Sequence, residues 1–265
     1  MHARERSNET QIANSLEGEN EWEQTVLHRL ENVPANLVVG ENAVVAIQAR
    51  MSSKRLPGKA LQNINGHPLL GHCIARCKMS EVKRVVVATS HDAEDDVISV
   101  FSESLGVPVF RGPLDDVLER LRLLAEHFNT RHIARISGDS PFIDPGLIRL
   151  AIALMETRGV ELVTNVLNRT FPKGQSVEVL SRELLQNLAR KKLTAFDREH
   201  VTSYIYKNPG KFQICSFESN GDYGDVQLSV DSIEDLECAR RISQAMESSA
   251  ASWSELTTLR SLVCG

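Results

Sequence analysis

No apolar run in this sequence reaches the roughly 18 residues that a membrane-spanning helix needs, so no membrane partner is expected. The opening residues, MHARERSNETQIANSLEGENEWEQ, contain no apolar h-region. They do not read as a secretory signal, and a cytoplasmic location follows as the expectation. Cysteine is scarce: five residues (Cys73, Cys77, Cys215, Cys238, Cys264), an odd number and widely scattered. They read as reduced packing residues. Cys73 and Cys77, with His72 beside them, read as one face of a helix rather than a metal site. Basic excess is also lacking, since the formal net charge is −5. Most of that charge lies in residues 1–24, where six glutamates face two arginines, so the rest of the chain is nearly neutral. Blunt electrostatic binding is disfavoured, and no nucleic acid partner is expected. Nor are any two of the 15 glycines two positions apart, which excludes a dinucleotide fingerprint.

The 265-residue chain has 42% hydrophobic and 25% charged residues, enough for a sizeable core. Residues 1–42 read as a polar, acidic leader, with an extra helix expected at 22–32. From Ala43 onward, short apolar runs alternate with amphipathic stretches. The runs at 43–48, 84–89, 107–110, 132–137 and 160–166 read as buried strands. The stretches at 67–79, 93–106, 114–128 and 145–157 read as helices between them. Such alternation predicts an α/β fold, a mostly parallel sheet with helices on both faces. Beyond residue 166 the order loosens. Strands are expected at 176–181 and 211–217, helices at 182–192 and 197–207, and a returning strand at 226–230 before a helix at 232–246. One domain over 43–250 is expected, with a protruding arm at about 166–222 and a C-terminal tail at 251–265.

In open α/β sheets, ligands bind beyond the carboxyl ends of the strands. The loop after the first run, Ala49 to Lys59, carries Arg50, Lys54, Arg55 and Lys59 and no acid. That charge matches a triphosphate, and Ser52, Ser53 and Gly58 let backbone amides approach phosphate oxygens. The loop is not a P-loop, because the Lys-Ser/Thr pair is missing. Gly138 and Asp139 follow the fourth run, and Asp231 follows the run at 226–230. Each aspartate alone reads equally well as a turn or helix cap. Together with a triphosphate loop they suggest Mg2+, a hard ion satisfied by one or two carboxylates and phosphate oxygens.

IQARMSSKRLPGKAL resembles the opening motif of the cytidylyltransferase family, and ARISGDSPFIDP resembles its metal-site motif. FPKGQSVEV, FDREHVTSYIY and LSVDSIEDLE are similar to three further blocks, in order, over residues 43–246. The resemblance implies a Rossmann-like three-layer α/β/α nucleotidyltransferase fold. It implies CTP as donor, a sugar or sugar-acid acceptor, Mg2+ as cofactor, release of pyrophosphate and a homodimer. By position, Arg50 and Lys59 would hold the triphosphate, with Ala49, Ser52 and Ser53 lining the loop. Asp139 and Asp231 would hold the metal, so Arg50, Lys59 and Asp139 form the expected catalytic set. Thr89, Ser90, Asp116 and Arg120 would line the base pocket. Lys173, Gln175, Glu178, Arg198, Glu199 and His200 would face the acceptor, with Glu199 and His200 as candidate general bases. Two departures, Ser176 and Ser203, fall in acceptor-facing blocks and bear on acceptor identity. A glycosyltransferase of related fold is the first alternative, and the single carboxylate in Ser137-Gly138-Asp139 argues against it. The second, an inactive nucleotide-binding protein, is opposed by the retained bases and aspartates.

Overall fold

The computed structural model describes residues 40–53 and 55–265. Lys54, the leader up to residue 39 and the helix expected at 22–32 lie outside the described residues. The central sheet has seven strands. They are β1 (Ala43–Gln48), β4 (Val85–Ser90), β5 (Val109–Gly112), β6 (His132–Ser137), β7 (Leu162–Thr164), β8 (Glu178–Ser181) and β9 (Ile214–Ser216). β2 (Asn63–Ile64) and β3 (His67–Pro68) form a separate small hairpin. The sheet order is β5-β4-β1-β6-β8-β7-β9. β8 runs antiparallel to both β6 and β7, and every other pairing in the sheet is parallel.

The helices are α1 (Leu69–Lys78), α2 (Asp96–Ser104), α3 (Val117–His127), α4 (Pro145–Arg158), α5 (Arg182–Ala189), α6 (Ala195–Glu199), α7 (Ser203–Lys207), α8 (Ile233–Ala245) and α9 (Trp253–Cys264). Residues alternate across a strand, so the continuous apolar runs feed two cores. Val44, Ala46, Val86, Ala88 and Ile133 pack with Leu118, Leu121 and Leu124 of α3 and Leu184 and Leu188 of α5. The intervening Val45, Ile47, Val87, Ala134 and Ile136 are buried as well, and α1 and α4 contact the sheet. The expected mostly parallel, three-layer architecture is the one observed.

Four expectations need correction. The segment 166–222 is not a protruding arm, because it supplies β8, inserted between β6 and β7, and α5, whose leucines complete a core. The run at 226–230 is not a sheet strand. It makes one isolated bridge, Lys173 to Gln227, and runs beside residues 172–174. Gly174 permits that approach with φ +94°, and a Cβ there would lie 2.6 Å from the Ser229 nitrogen. The C-terminal residues are not a loose tail. A capping box of Ser252 and Glu255 starts α9, and Trp253 and Leu256 are buried. The buried Arg76 clamps the approach to α9, donating to the carbonyls of Ile143, Ser249 and Ala251 at 2.7–2.8 Å. Cys238 and Cys264 form a disulfide between α8 and α9, so these two are not reduced. Cys73 and Cys77 are free and buried, and the Cys73 thiol is pushed up by its hydrogen bond with Cys77 and by burial.

Candidate active site

A cleft of about 570 Å3 opens beyond the carboxyl ends of β1 and β6. Its wall brings together the expected Ala49, Arg50, Ser52, Ser53 and Lys59 from the β1 loop, Arg120 from α3 and Asp139 after β6. Glu199 and His200, at the end of α6, and Asp231 complete the set. The turn after β6 is tight: Gly138 donates to the Gln48 carbonyl at 2.8 Å, and a Cβ on it would meet that oxygen at 2.7 Å.

Asp139 and Asp231 meet because of the irregular 226–230 segment. The Val230 amide donates to the Asp139 carbonyl at 2.9 Å, which sets the next residue beside the β6 turn. Lys59 joins the two side chains. Its ammonium donates to Asp139 Oδ2 at 2.7 Å and to Asp231 Oδ1 at 3.2 Å, and Arg55 reaches Asp231 Oδ1 at 2.8 Å. Burial alone would raise the Asp231 carboxyl, but Lys59, then Arg55 and Gln227, outweigh it and hold it below its ordinary range. Two carboxylates therefore converge on one positive centre, a donor set that fits a hard divalent ion completed by phosphate oxygens. Among the described residues no group of three or more His, Cys, Asp or Glu side chains could hold a metal.

The β1 loop is held from outside. Asp95 is buried and accepts from the Met51 amide at 2.7 Å, the Ser90 amide at 3.1 Å and the Ser90 hydroxyl at 2.5 Å. Ser90 is engaged by Asp95, and both Ser90 and Thr89 are buried off the cleft wall. Asp116 also stands off the wall. It caps α3 through the Glu119 amide and pairs with Arg198 at 2.6 Å, and Arg198 likewise does not line the cleft. Arg120 is buried on the wall, and its guanidinium donates to the carbonyls of Pro113 and Leu114. Burial, then the charge of Arg50, lowers it to about 10, so it stays cationic at neutral pH.

Neither Gln175 nor Lys173 lines the cleft. Gln175 is fully enclosed, accepting from the Asp144 amide and donating to the Phe142 carbonyl. Lys173 is exposed but does not line the cleft, and its backbone is used against Val226 and Leu228. Glu178 lies behind the wall, bound to Arg135 at 2.6 Å and to the Tyr206 hydroxyl at 2.5 Å. Of the departures, Ser176 accepts from Arg169 at 3.2 Å, and Ser203 donates to Asp197 at 2.7 Å. The sequence reading did not single out Gln48, Val117, Arg135 or Ser137 as cleft residues. An arginine inside the otherwise apolar run HIARIS was the signal for Arg135.

Residues 44–263 match the family model described as cytidylyltransferase. The chain belongs to the cytidylyltransferase family. This cytidylyltransferase is 34% identical to the spore coat polysaccharide biosynthesis protein SpsF of Bacillus subtilis, over 80% of its own length and 91% of that protein. It is 35% identical to a 3-deoxy-manno-octulosonate cytidylyltransferase of Aeromonas salmonicida, over 40% of its own length and 43% of that protein. The solved structure of a cytidylyltransferase from Leptospira borgpetersenii superposes with a TM-score of 0.80 at 31% identity, over 83% of this chain and 94% of that one. It is a CTP-dependent nucleotidyltransferase of Rossmann-like fold.

Proposed function

We propose that this cytidylyltransferase transfers CMP from CTP to a hydroxyl of an acidic sugar, as a precursor step for a surface polysaccharide or glycoconjugate. The observation that carries the reading is the meeting of Asp139 and Asp231 on Lys59, residues 80 and 172 positions from that lysine. Arg50, Ser52, Ser53 and Lys59 receive the triphosphate. Arg50 already faces Glu199 at 3.0 Å, a half-exposed pair of small worth that a phosphate displaces readily. The acceptor oxygen attacks the α-phosphorus in line and pyrophosphate leaves, so positioning and charge neutralisation do most of the work. Asp139 and Asp231 would hold Mg2+, which supplies charge neutralisation and orientation at the phosphate oxygens. Glu199 and His200 line the cleft and are the candidate bases for the hydroxyl proton. A cytoplasmic setting, where nucleoside triphosphates are made, and a homodimer belong to the same reading. Among the described residues no helix is long and apolar enough to cross a membrane.

The test is pyrophosphate release with each of the four nucleoside triphosphates against acidic and neutral sugars. CTP with an acidic sugar should give turnover, and the other triphosphates little. Turnover with a different triphosphate, or with neutral sugars alone, would reject the assignment.

A further inference from the structure

One charge in the cleft is not accounted for by the triphosphate or the metal. Arg135 sits inside β6, opposite Ala46 of β1 on one side and Glu178 of β8 on the other. A charge within a central strand is costly, and an apolar pair of similar size would serve stability at least as well. The arginine nevertheless lines the cleft, with its side chain 22% exposed.

Its guanidinium is held from two directions. Nε donates to Gln48 Oε1, and Nη1 donates to Glu178 Oε2 at 2.6 Å. Glu178 is itself fixed, because its other oxygen accepts from the Tyr206 hydroxyl at 2.5 Å, and Tyr206 also meets Thr164 Oγ1 at 2.8 Å. Burial, then the charge of Glu178, pushes the Tyr206 phenol up, so it stays protonated and donating. A guanidinium is a rigid planar fork. With Nε and Nη1 committed, the direction of Nη2 is set, and Nη2 makes no hydrogen bond among the described residues.

The position distinguishes two ligands. Arg50, Arg55 and Lys59 lie on the β1 loop, on the parallel side of the sheet. Arg135, Glu178 and Tyr206 lie at the β6/β8 boundary, where the sheet turns antiparallel, and on α7, while Gln48 reaches Arg135 from the end of β1. Arg120, the other arginine rising from the wall, gives Nη1 to the carbonyls of Pro113 and Leu114 and leaves its buried Nε without a partner among the described residues, but it is not held from two directions as Arg135 is. We propose that Arg135 is a specificity-determining residue that binds the carboxylate of the acceptor sugar, with Gln48 and Glu178 as the positioning residues that aim it. This rests on the reading of the enzyme as acting on an acidic acceptor.

The experiment compares wild type, Arg135→Gln and Arg135→Lys in pyrophosphate release. The probes are CTP with a panel of 2-keto-3-deoxy sugar acids and the matching C1 amides. Loss of a charge-assisted contact should raise the acceptor KM of Arg135→Gln about 10- to 100-fold, with the KM for CTP unchanged. Wild type should prefer acid over amide, and the variant should lose that preference. Arg135→Lys keeps the charge without the fork and should fall between; it carries the test if Arg135→Gln unfolds, as thermal melting would reveal. An unchanged acceptor KM, or a CTP KM rising in step with it, would overturn the proposal. If wild type itself uses neutral sugars and no acids, the acidic-acceptor reading fails first, and the wild-type data alone show it.

Discussion

Asp95 ties the proposed triphosphate loop after β1 to the end of β4, through the amides of Met51 and Ser90 and the Ser90 hydroxyl. Burial would raise its carboxyl, but the Ser90 hydroxyl and the two amides outweigh burial and hold it low. A depressed carboxylate stabilises the fold above its unfolded pKa of about 4. That contribution disappears as the pH falls through the lower folded value. Asp95→Asn should therefore cost about 1–3 kcal/mol at pH 7 and flatten the acid limb of stability, measured by urea unfolding from pH 7 to pH 3. Equal losses across that range would mean that charge is irrelevant at this position. Lys59→Ala removes the cation shared by Asp139 and Asp231. It should weaken CTP binding about 10- to 100-fold in calorimetry, and unchanged affinity would place Lys59 outside the nucleotide site. Lys59 and Arg50 were legible because a basic, acid-free loop after a buried strand is an unusual pattern. Asp95 was not, since an aspartate at the start of a helical stretch looks like any cap.

At the scale of elements, β1 and β6 fall where the apolar runs place them, because a fully buried parallel strand has a continuous signature. The run at 226–230 has the same signature but is buried by α8 and α9 rather than by strand neighbours. Leu228 and Val230 pack with Leu236, Ile242 and Leu256 there. An apolar run reports burial and leaves the burying partner open. The helix α9 did carry a local signal, Ser252 followed three residues on by Glu255, and that capping box outweighs the polar look of the segment. The Cys238–Cys264 bridge closes a separation of 26 residues, which by loop entropy contributes about 3.5 kcal/mol. Cys238→Ser should lower the melting temperature in oxidising buffer and leave it unchanged, relative to wild type, in excess reductant. Equal melting of both proteins without reductant would show that the bridge does no stabilising work.

Across the whole molecule, the cleft is made where distant segments converge: the β1 loop, the β6 turn, the end of α6 and the segment leading to Asp231. The sequence allowed Asp139 and Asp231 to be paired only because both follow apolar runs. Their contact depends on the Val230–Asp139 backbone bond and on Gly174, which no local pattern announces. The same folding turned Gln175 inward and put Glu178 behind Arg135, so block similarity did not tell residues on the cleft wall from those behind it. On the proposed function, Asp139 and Asp231 form one metal site for transfer from CTP. The direct measurement is CTP-driven pyrophosphate release as Mg2+ is titrated, in wild type, Asp139→Asn, Asp231→Asn and the double variant. If they share one ion, each single change should abolish most turnover and raise the Mg2+ requirement, and the double variant should be little worse than either. Independent, additive losses with an unaltered Mg2+ requirement would contradict the shared site.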